Sequence, residues 1–239
     1  MPGPPFSGQP DITYVYKDVN DYYMKNDIWG GNIQAQTLMN ISDTNHLITF
    51  GVDYSATDFS RVRNKNRTKN GTAETYDPQK DTPDSDIKRT GIYLQDEFSS
   101  GKFDFIAGLR YDNYDLDAKA DSIFLDSGSN DSGNITDEYA ADLSESNWSP
   151  KLATNYNFNE TTSLYGSYSK GFRAPAYYEV NSSFSNHQSR YYTESNPSLK
   201  PETSDSYEVG IRKITDTMKF KLAAFYNRYN DFIEQLKLV

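Results

Sequence analysis

Cysteine is absent from all 239 residues, which excludes a disulfide framework and any thiolate-ligated metal site. Histidine is scarce: the chain has two, His46 and His187, so imidazole chemistry has two possible addresses. No stretch reaches 18 consecutive apolar residues, which excludes a membrane-spanning helix. Transmembrane strands are not excluded, because such a strand shows lipid only every second residue and keeps a low average hydropathy. Sequence signatures of catalysis are also missing. There is no HExxH, no GxSxG, no phosphate-binding P-loop and no GxGxxG, and the chain is read as not an enzyme. A hydrolase using His187 as general base is conceivable, but no spacing singles out a Ser or Asp partner for it. Basic residues gather only in Arg61-Val62-Arg63-Asn64-Lys65-Asn66-Arg67-Thr68-Lys69, read as a loop that could touch a protein ligand or anionic lipid headgroups. Nucleic acid is therefore not an expected partner. The net charge is −10, and residues 112–145 hold ten acidic residues against one lysine. That is read as a solvated loop surface, and residues 126–138 do not match EF-hand spacing.

What is plentiful is aromatic: 15% of the chain, with 20 tyrosines. Aromatic side chains of this kind suit strands whose ends lie at the lipid–water boundary. Trp29, Tyr93, Phe98, Tyr111, Trp148 and Tyr156 are assigned to such interfacial girdles. Alternating segments recur in pairs joined by short polar links: 31–41 with 46–57, 88–99 with 102–114, 147–156 with 162–169, and 207–214 with 218–229. Each pair reads as a hairpin. In 102–112, Phe103, Phe105, Ala107, Leu109 and Tyr111 share one face, opposite Lys102, Asp104, Gly108, Arg110 and Asp112, with Ile106 as the exception. A further strand is expected over 12–19, and a stub near Ile233.

Long polar stretches, roughly 58–87, 115–146 and 170–206, separate the pairs and read as functional loops. Charges inside a soluble sandwich core are costly, whereas charges facing a water-filled or plugged lumen are cheap. Strands of about ten residues match what a tilted strand needs to cross a bilayer. The expected fold is all-β: an antiparallel transmembrane β-barrel of the outer-membrane transporter type, with about nine of its strands present. Long loops would lie outside the cell and short turns in the periplasm. The alternative is an amphipathic sheet of a soluble protein with one solvated face. Met1-Pro2-Gly3-Pro4-Pro5 has no basic or apolar segment of a secretory signal, and Leu236-Lys237-Leu238-Val239 stops in mid-pattern. The expectation is a disordered or engineered leader over 1–10 and a partial barrel over 11–239.

Two short boxes carry a family resemblance. They are Gly171-Phe172-Arg173-Ala174-Pro175 and Asn196-Pro197-Ser198-Leu199-Lys200-Pro201-Glu202, with His187 between them. The arrangement resembles the TonB-dependent outer-membrane receptors, and within them the haem and haemoglobin receptor branch. That branch carries an FRAP box, an NPNL box and a haem-binding histidine between the two. The resemblance runs from about residue 11 onward and covers only part of that family's barrel, with neither plug domain nor TonB box.

It implies a Gram-negative outer-membrane receptor for TonB-dependent haem uptake, which could draw haem from haemoproteins such as haemoglobin. His187 is then the axial ligand to haem iron, with Tyr191, Tyr192, Tyr177 and Tyr178 as weaker candidates to stack on the porphyrin or replace it as ligand. Phe172, Arg173, Ala174, Pro175, Asn196, Pro197 and Leu199 are read as family markers with a structural role, and Ser198 departs from the NPNL pattern. No intrinsic cofactor is expected, haem being cargo. The implied partners are haem or a haemoprotein, TonB through the plug domain, and outer-membrane lipid. Two rivals remain open: a ferric-siderophore receptor, for which His187 is dispensable, and a passive pore or adhesin barrel.

Overall fold

The computed structural model describes residues 14–126, 140–182, 184–186, 191–193 and 195–234, without the side chains of 184–186, 191 and 192. Eight long strands form one antiparallel sheet. They are β1 (Tyr16–Ile41), β2 (Thr44–Lys69), β4 (Asp84–Ser100), β5 (Phe103–Lys119), β6 (Leu143–Asn159), β7 (Thr162–Arg173), β10 (Glu202–Ile214) and β11 (Lys219–Asn230). Each lies beside the next in that order, and short β3 (Thr72–Thr75) pairs with β2. Among the described residues β1 and β11 are the two edges, so the sheet is open.

The turns follow from local chemistry. Ser42 and Asp43 take φ of 49° and 62° between β1 and β2, the left-handed pair that a two-residue hairpin turn requires. Gly101 adopts +60° between β4 and β5. Asn70 and Gly71, at 49° and 85°, close a β2–β3 hairpin within a segment read as loop from the sequence.

Register shows how well the alternation holds. Phe50, Leu94, Leu109 and Pro150 lie in one cross-strand row, and Val52, Ile92, Tyr111 and Trp148 in the next. Side chains opposite one another on adjacent strands share a face, and this face carries a band of exposed aliphatics including Leu94, Leu109, Leu152, Val209 and Leu222. Aromatic rings border the band on both sides. Toward the short turns, His46 stacks on Phe98 with centroids 4.5 Å apart and Phe98 on Phe105 at 5.0 Å, while Phe103 meets Tyr156 at a tilt, 4.8 Å away. Toward the long connections, Trp29 meets Tyr54 at 5.3 Å, Tyr111 meets Trp148 at 4.9 Å, and Tyr168 meets Tyr207 at 5.0 Å. From Phe103 to Tyr111 the strand advances about 26 Å at about 3.3 Å per residue. An apolar band of that height between two aromatic girdles is the lipid-facing surface of an outer-membrane barrel.

Tyr93 is not part of a girdle. It stands on the opposite, inner face, where its hydroxyl donates to Gln34 at 2.7 Å and the Arg110 guanidinium lies 5.8 Å from its ring. The inner face is polar because it never meets lipid. Arg110 crosses over Gly91 to reach Asp53 at 3.0 Å, and also donates to Asp112 at 2.8 Å. A Cβ at position 91 would overlap both the Arg110 guanidinium and the Asp53 carboxylate, so the crossing needs glycine there.

The strands overrun the boundaries expected from the sequence. Of the expected strand over 12–19, residues 16–19 belong with 31–41 to one 26-residue strand, β1, paired along its whole length with β2 from Tyr16↔Lys69 to Ile41↔Thr44; residues 12 and 13 lie outside the described residues. The strand count therefore comes from eight long strands plus β3, not from nine long ones. The basic run 61–69 is strand, and the loops shrink correspondingly. The physical reason is that these extensions rise beyond the bilayer, where both faces are wet and no alternation is imposed. Backbone pairing and cross-strand contacts hold them instead: Arg67 to Asp18 at 2.7 Å, and the Lys69 ammonium 4.2 Å over the Tyr14 ring. No strand starts near Ile233 among the described residues; its N–H donates to the Glu202 carboxylate at 2.7 Å.

Candidate functional site

β7 and β10 are neighbours, and their outer ends carry the two boxes. The register pairs Arg173 with Glu202, placing the first box directly beside the second. Arg173 donates through Nε to the Glu202 carboxylate and through Nη1 to Glu179 at 3.0 Å. Glu179 also accepts the Ala176 N–H at 2.7 Å, closing the first turn of α2 (Tyr177–Asn181). One guanidinium thus joins the end of β7, the start of β10 and the helix between them. Arg173 holds Glu202 below the usual carboxylate range, with the Ile233 N–H adding to the effect. Pro175 is fully buried and has no N–H to donate, which suits it to ending β7.

Behind Pro175, α2 folds back over the inner face of the sheet. Val180 is buried with Ile87, Tyr114 and Leu116, and Ala174, Tyr177, Ala141 and Leu143 pack around them. Buried Asn181 accepts the Ala141 N–H and donates to the Ala141 carbonyl, both at 2.9 Å, so its amide is satisfied inside the cluster. In the second box, Asn196 donates its N–H to Val180 O at 2.9 Å and accepts the Ser198 N–H on its side chain at 3.1 Å. Position 198 contributes its backbone to that turn, and so a serine there in place of asparagine costs little.

Of the tyrosines singled out from the sequence, Tyr177 is half-buried with its ring 4.3 Å from Phe59, and burial pushes its phenol upward. Tyr178 is 52% exposed, edge-on to Tyr177 at 5.4 Å. Tyr191 and Tyr192 lie in β9 (Tyr191–Thr193), which pairs with β8 (Phe184–Asn186). His187 falls in the connection between these strands, outside the described residues. Glu179 and Asn181 had no role in the sequence reading. Neither carried a clear sequence signal: the residue three before Glu179 is Ala176, which lacks the side-chain acceptor that marks a capping box, so only the Glu179 half of it forms.

A second tie sits beside this loop. The buried Lys80 ammonium reaches Asp121 at 2.5 Å and Asp84 at 2.8 Å. Asp121 also caps α1 (Ser122–Leu125) by accepting the Phe124 N–H at 2.8 Å, with the Phe124 ring fully buried. Burial opposes the charge on both partners, but their hydrogen bonds prevail: Asp121 is held below its ordinary value and Lys80 above its own. A depressed carboxylate stabilises fully above its unfolded value and loses that contribution as pH falls through its folded value; a raised amine does the reverse at high pH. The protection factors of the amides of residues 120–126, taken against the intrinsic exchange rate at each pH, are therefore expected to stay flat from about pH 5 to about pH 9 and to fall below about pH 4. A fall in protection between pH 5 and 7 would contradict this pairing.

Lipid-facing girdles, a polar inner wall and an outer loop clamped at both boxes define an outer-membrane β-barrel receptor. Residues 4–238 match the family described as TonB dependent receptor-like, beta-barrel, and the chain belongs to that family. It is an outer-membrane protein of a Gram-negative bacterium, and the family consists of transport receptors rather than enzymes. The chain is 28% identical over 222 residues to a hemin receptor of Yersinia enterocolitica, covering 85% of this chain and 27% of that protein. It is 30% identical over 133 residues, 56% of the chain and 16% of the relative, to the hemoglobin-haptoglobin utilization protein B of Neisseria meningitidis serogroup C. Among solved structures, the copper transporter OprC superposes with a TM-score of 0.60 at 16% identity, over 88% of this chain and 31% of its own. The chain thus spans about a quarter of the first relative's length.

Proposed function

We propose that the receptor containing this chain takes up haem across the outer membrane in a TonB-dependent step, with the loop between the two boxes capturing it. The observation that carries this reading is the similarity to a hemin receptor along 85% of the chain, with His187 lying between the boxes. A neutral imidazole at pH 7 can coordinate haem iron. The Arg173 clamp gives the capture loop a fixed base, since Glu179 and Glu202 are tied to one side chain. Exposed Tyr178 offers a ring for the porphyrin face at that base. TonB, acting through a plug domain, supplies the energy, and the barrel does no covalent chemistry. A haemoprotein such as haemoglobin is the proposed source of the haem, in keeping with the second relative's name.

The test is growth of iron-starved cells on haem as sole iron source. A gene carrying His187→Ala is expected to need at least about tenfold more haem than wild type, as loss of a metal-site residue ordinarily costs. Its growth on an inorganic iron salt should be unchanged. Equal growth on haem would remove His187 as the ligand and move that role to a loop tyrosine, whereas growth on haem that does not require the gene at all would favour the ferric-siderophore receptor, in which His187 is dispensable.

A further inference from the structure

The lipid-facing side carries an ionisable pair that the transport reading does not use. Period two sets His46 in the column of Ile48, Phe50 and Val52 on β2, and Asp96 in the column of Ile92, Leu94 and Phe98 on β4. Between the aromatic girdles, Asp96 is the only carboxylate on that side among the described residues. It lies one face position inward of Phe98, at the girdle of the short turns, where the headgroups of the periplasmic leaflet begin.

A carboxylate bordering hydrocarbon is costly and persists there only with partners. The residues opposite Asp96 are Ile48 on β2 and Ala107 on β5, and neither side chain can donate a hydrogen bond. His46 is the partner: its Nδ1 lies 3.0 and 2.8 Å from the two carboxylate oxygens, and the stacked Phe98 ring fixes the imidazole plane. An ionised carboxylate only accepts, so the proton is on Nδ1, and that single N–H serves an acceptor with about four lone-pair sites. On the inner face Asp104 takes three donors, from Ser99, Asn155 and Asn157. The Asp96 side chain is 27% exposed, and the small Ala107 beside it leaves its unused lone pairs open to the headgroup layer. What is missing there is a donor. Acyl chains and phosphodiesters have none, whereas a protonated amine has both the donors and the opposite charge.

We propose that Asp96, held in place by His46, is a headgroup site for an aminophospholipid of the periplasmic leaflet. The lipid ammonium donates to the carboxylate lone pairs that His46 leaves free, and the acyl chains run inward past Leu94 and Phe50. The site is independent of the cargo and of His187.

The purified full-length receptor is titrated in detergent with phosphatidylethanolamine, its N,N-dimethyl derivative and phosphatidylcholine, all with the same chains. Native mass spectrometry follows the first lipid bound. The three headgroups are equally zwitterionic and lose their N–H donors along the series. Wild type is expected to hold the ethanolamine lipid about fivefold or more tightly than the choline lipid, with the dimethyl form between them. In Asp96→Asn, which keeps the side-chain shape, the preference should fall below about twofold and phosphatidylcholine binding should not change. A flat series in wild type means that water completes the carboxylate, and overturns the site. A full preference surviving in Asp96→Asn places it elsewhere on the barrel and overturns the site too. So does tighter binding of phosphatidylglycerol than of the ethanolamine lipid, since the first has a phosphate but no amine.

Discussion

Leu109→Arg is expected to destabilise the full-length barrel by about 2–4 kcal/mol in bilayers, whereas Ser167→Arg should change it by less than about 0.5 kcal/mol. Both residues are on membrane-crossing strands, so the difference is one of face. Leu109 lies in the row of Phe50, Leu94 and Pro150, in the middle of the aliphatic band and between the girdles. A guanidinium there must stay in hydrocarbon or drag water and headgroups inward. Ser167 lies on the inner face, opposite Ala153 on one side and Glu208 on the other. An arginine there has polar surroundings and a carboxylate within a neighbouring strand. Denaturant unfolding of the receptor reconstituted in vesicles measures both. Equal costs, or a larger one at Ser167, would mean that the faces are reversed.

The second large effect is expected at Arg173. Its two partners are more enclosed than it is, with side-chain exposures of 18% for Glu179 and 14% for Glu202. Removing the guanidinium leaves both carboxylates without their cation, and a charged group deprived of its partner costs more than the pair contributed. For Arg173→Ala, docking of α2 should weaken by about 2–3 kcal/mol, which raises the open population by roughly 30- to 150-fold. Exchange should quicken at the Ala176, Val180 and Asn196 amides, while the girdle rows of β5 and β6 keep their protection. Arg173→Lys should recover only part, because an ammonium lacks the planar fork that serves two carboxylates. Unchanged exchange at those amides would leave the clamp without a role.

How much of this was legible in the sequence depends on where the chain meets lipid. In 102–112 the bilayer touches one face only, and the odd residues Phe103 to Tyr111 could be assigned to it from the alternation alone. Above the girdles that constraint ends. Residues 20–30 and 58–69 are polar or mixed on both faces, so nothing in their pattern revealed that they continue β1 and β2. Tyr93 was misplaced because its residue type was allowed to outweigh its parity: Ile92 and Leu94 on either side already fixed it to the inner face. The Asn70-Gly71 turn carried a readable hairpin signal that went unused. Both boxes were recognisable as motifs, but the bond joining them was not. Arg173 and Glu202 are 29 positions apart, and only the β7–β10 register makes them neighbours. Asn181 was equally hidden, since its partner Ala141 comes from a different connection between strands.

The central claim is haem capture by the loop that the two boxes anchor, and the most direct measurement is the Soret band. Haem is titrated into the purified full-length receptor, wild type against His187→Ala. The account predicts a shifted Soret band in wild type and, in the variant, an altered band with affinity lower by at least about tenfold. No Soret shift with either protein would contradict it.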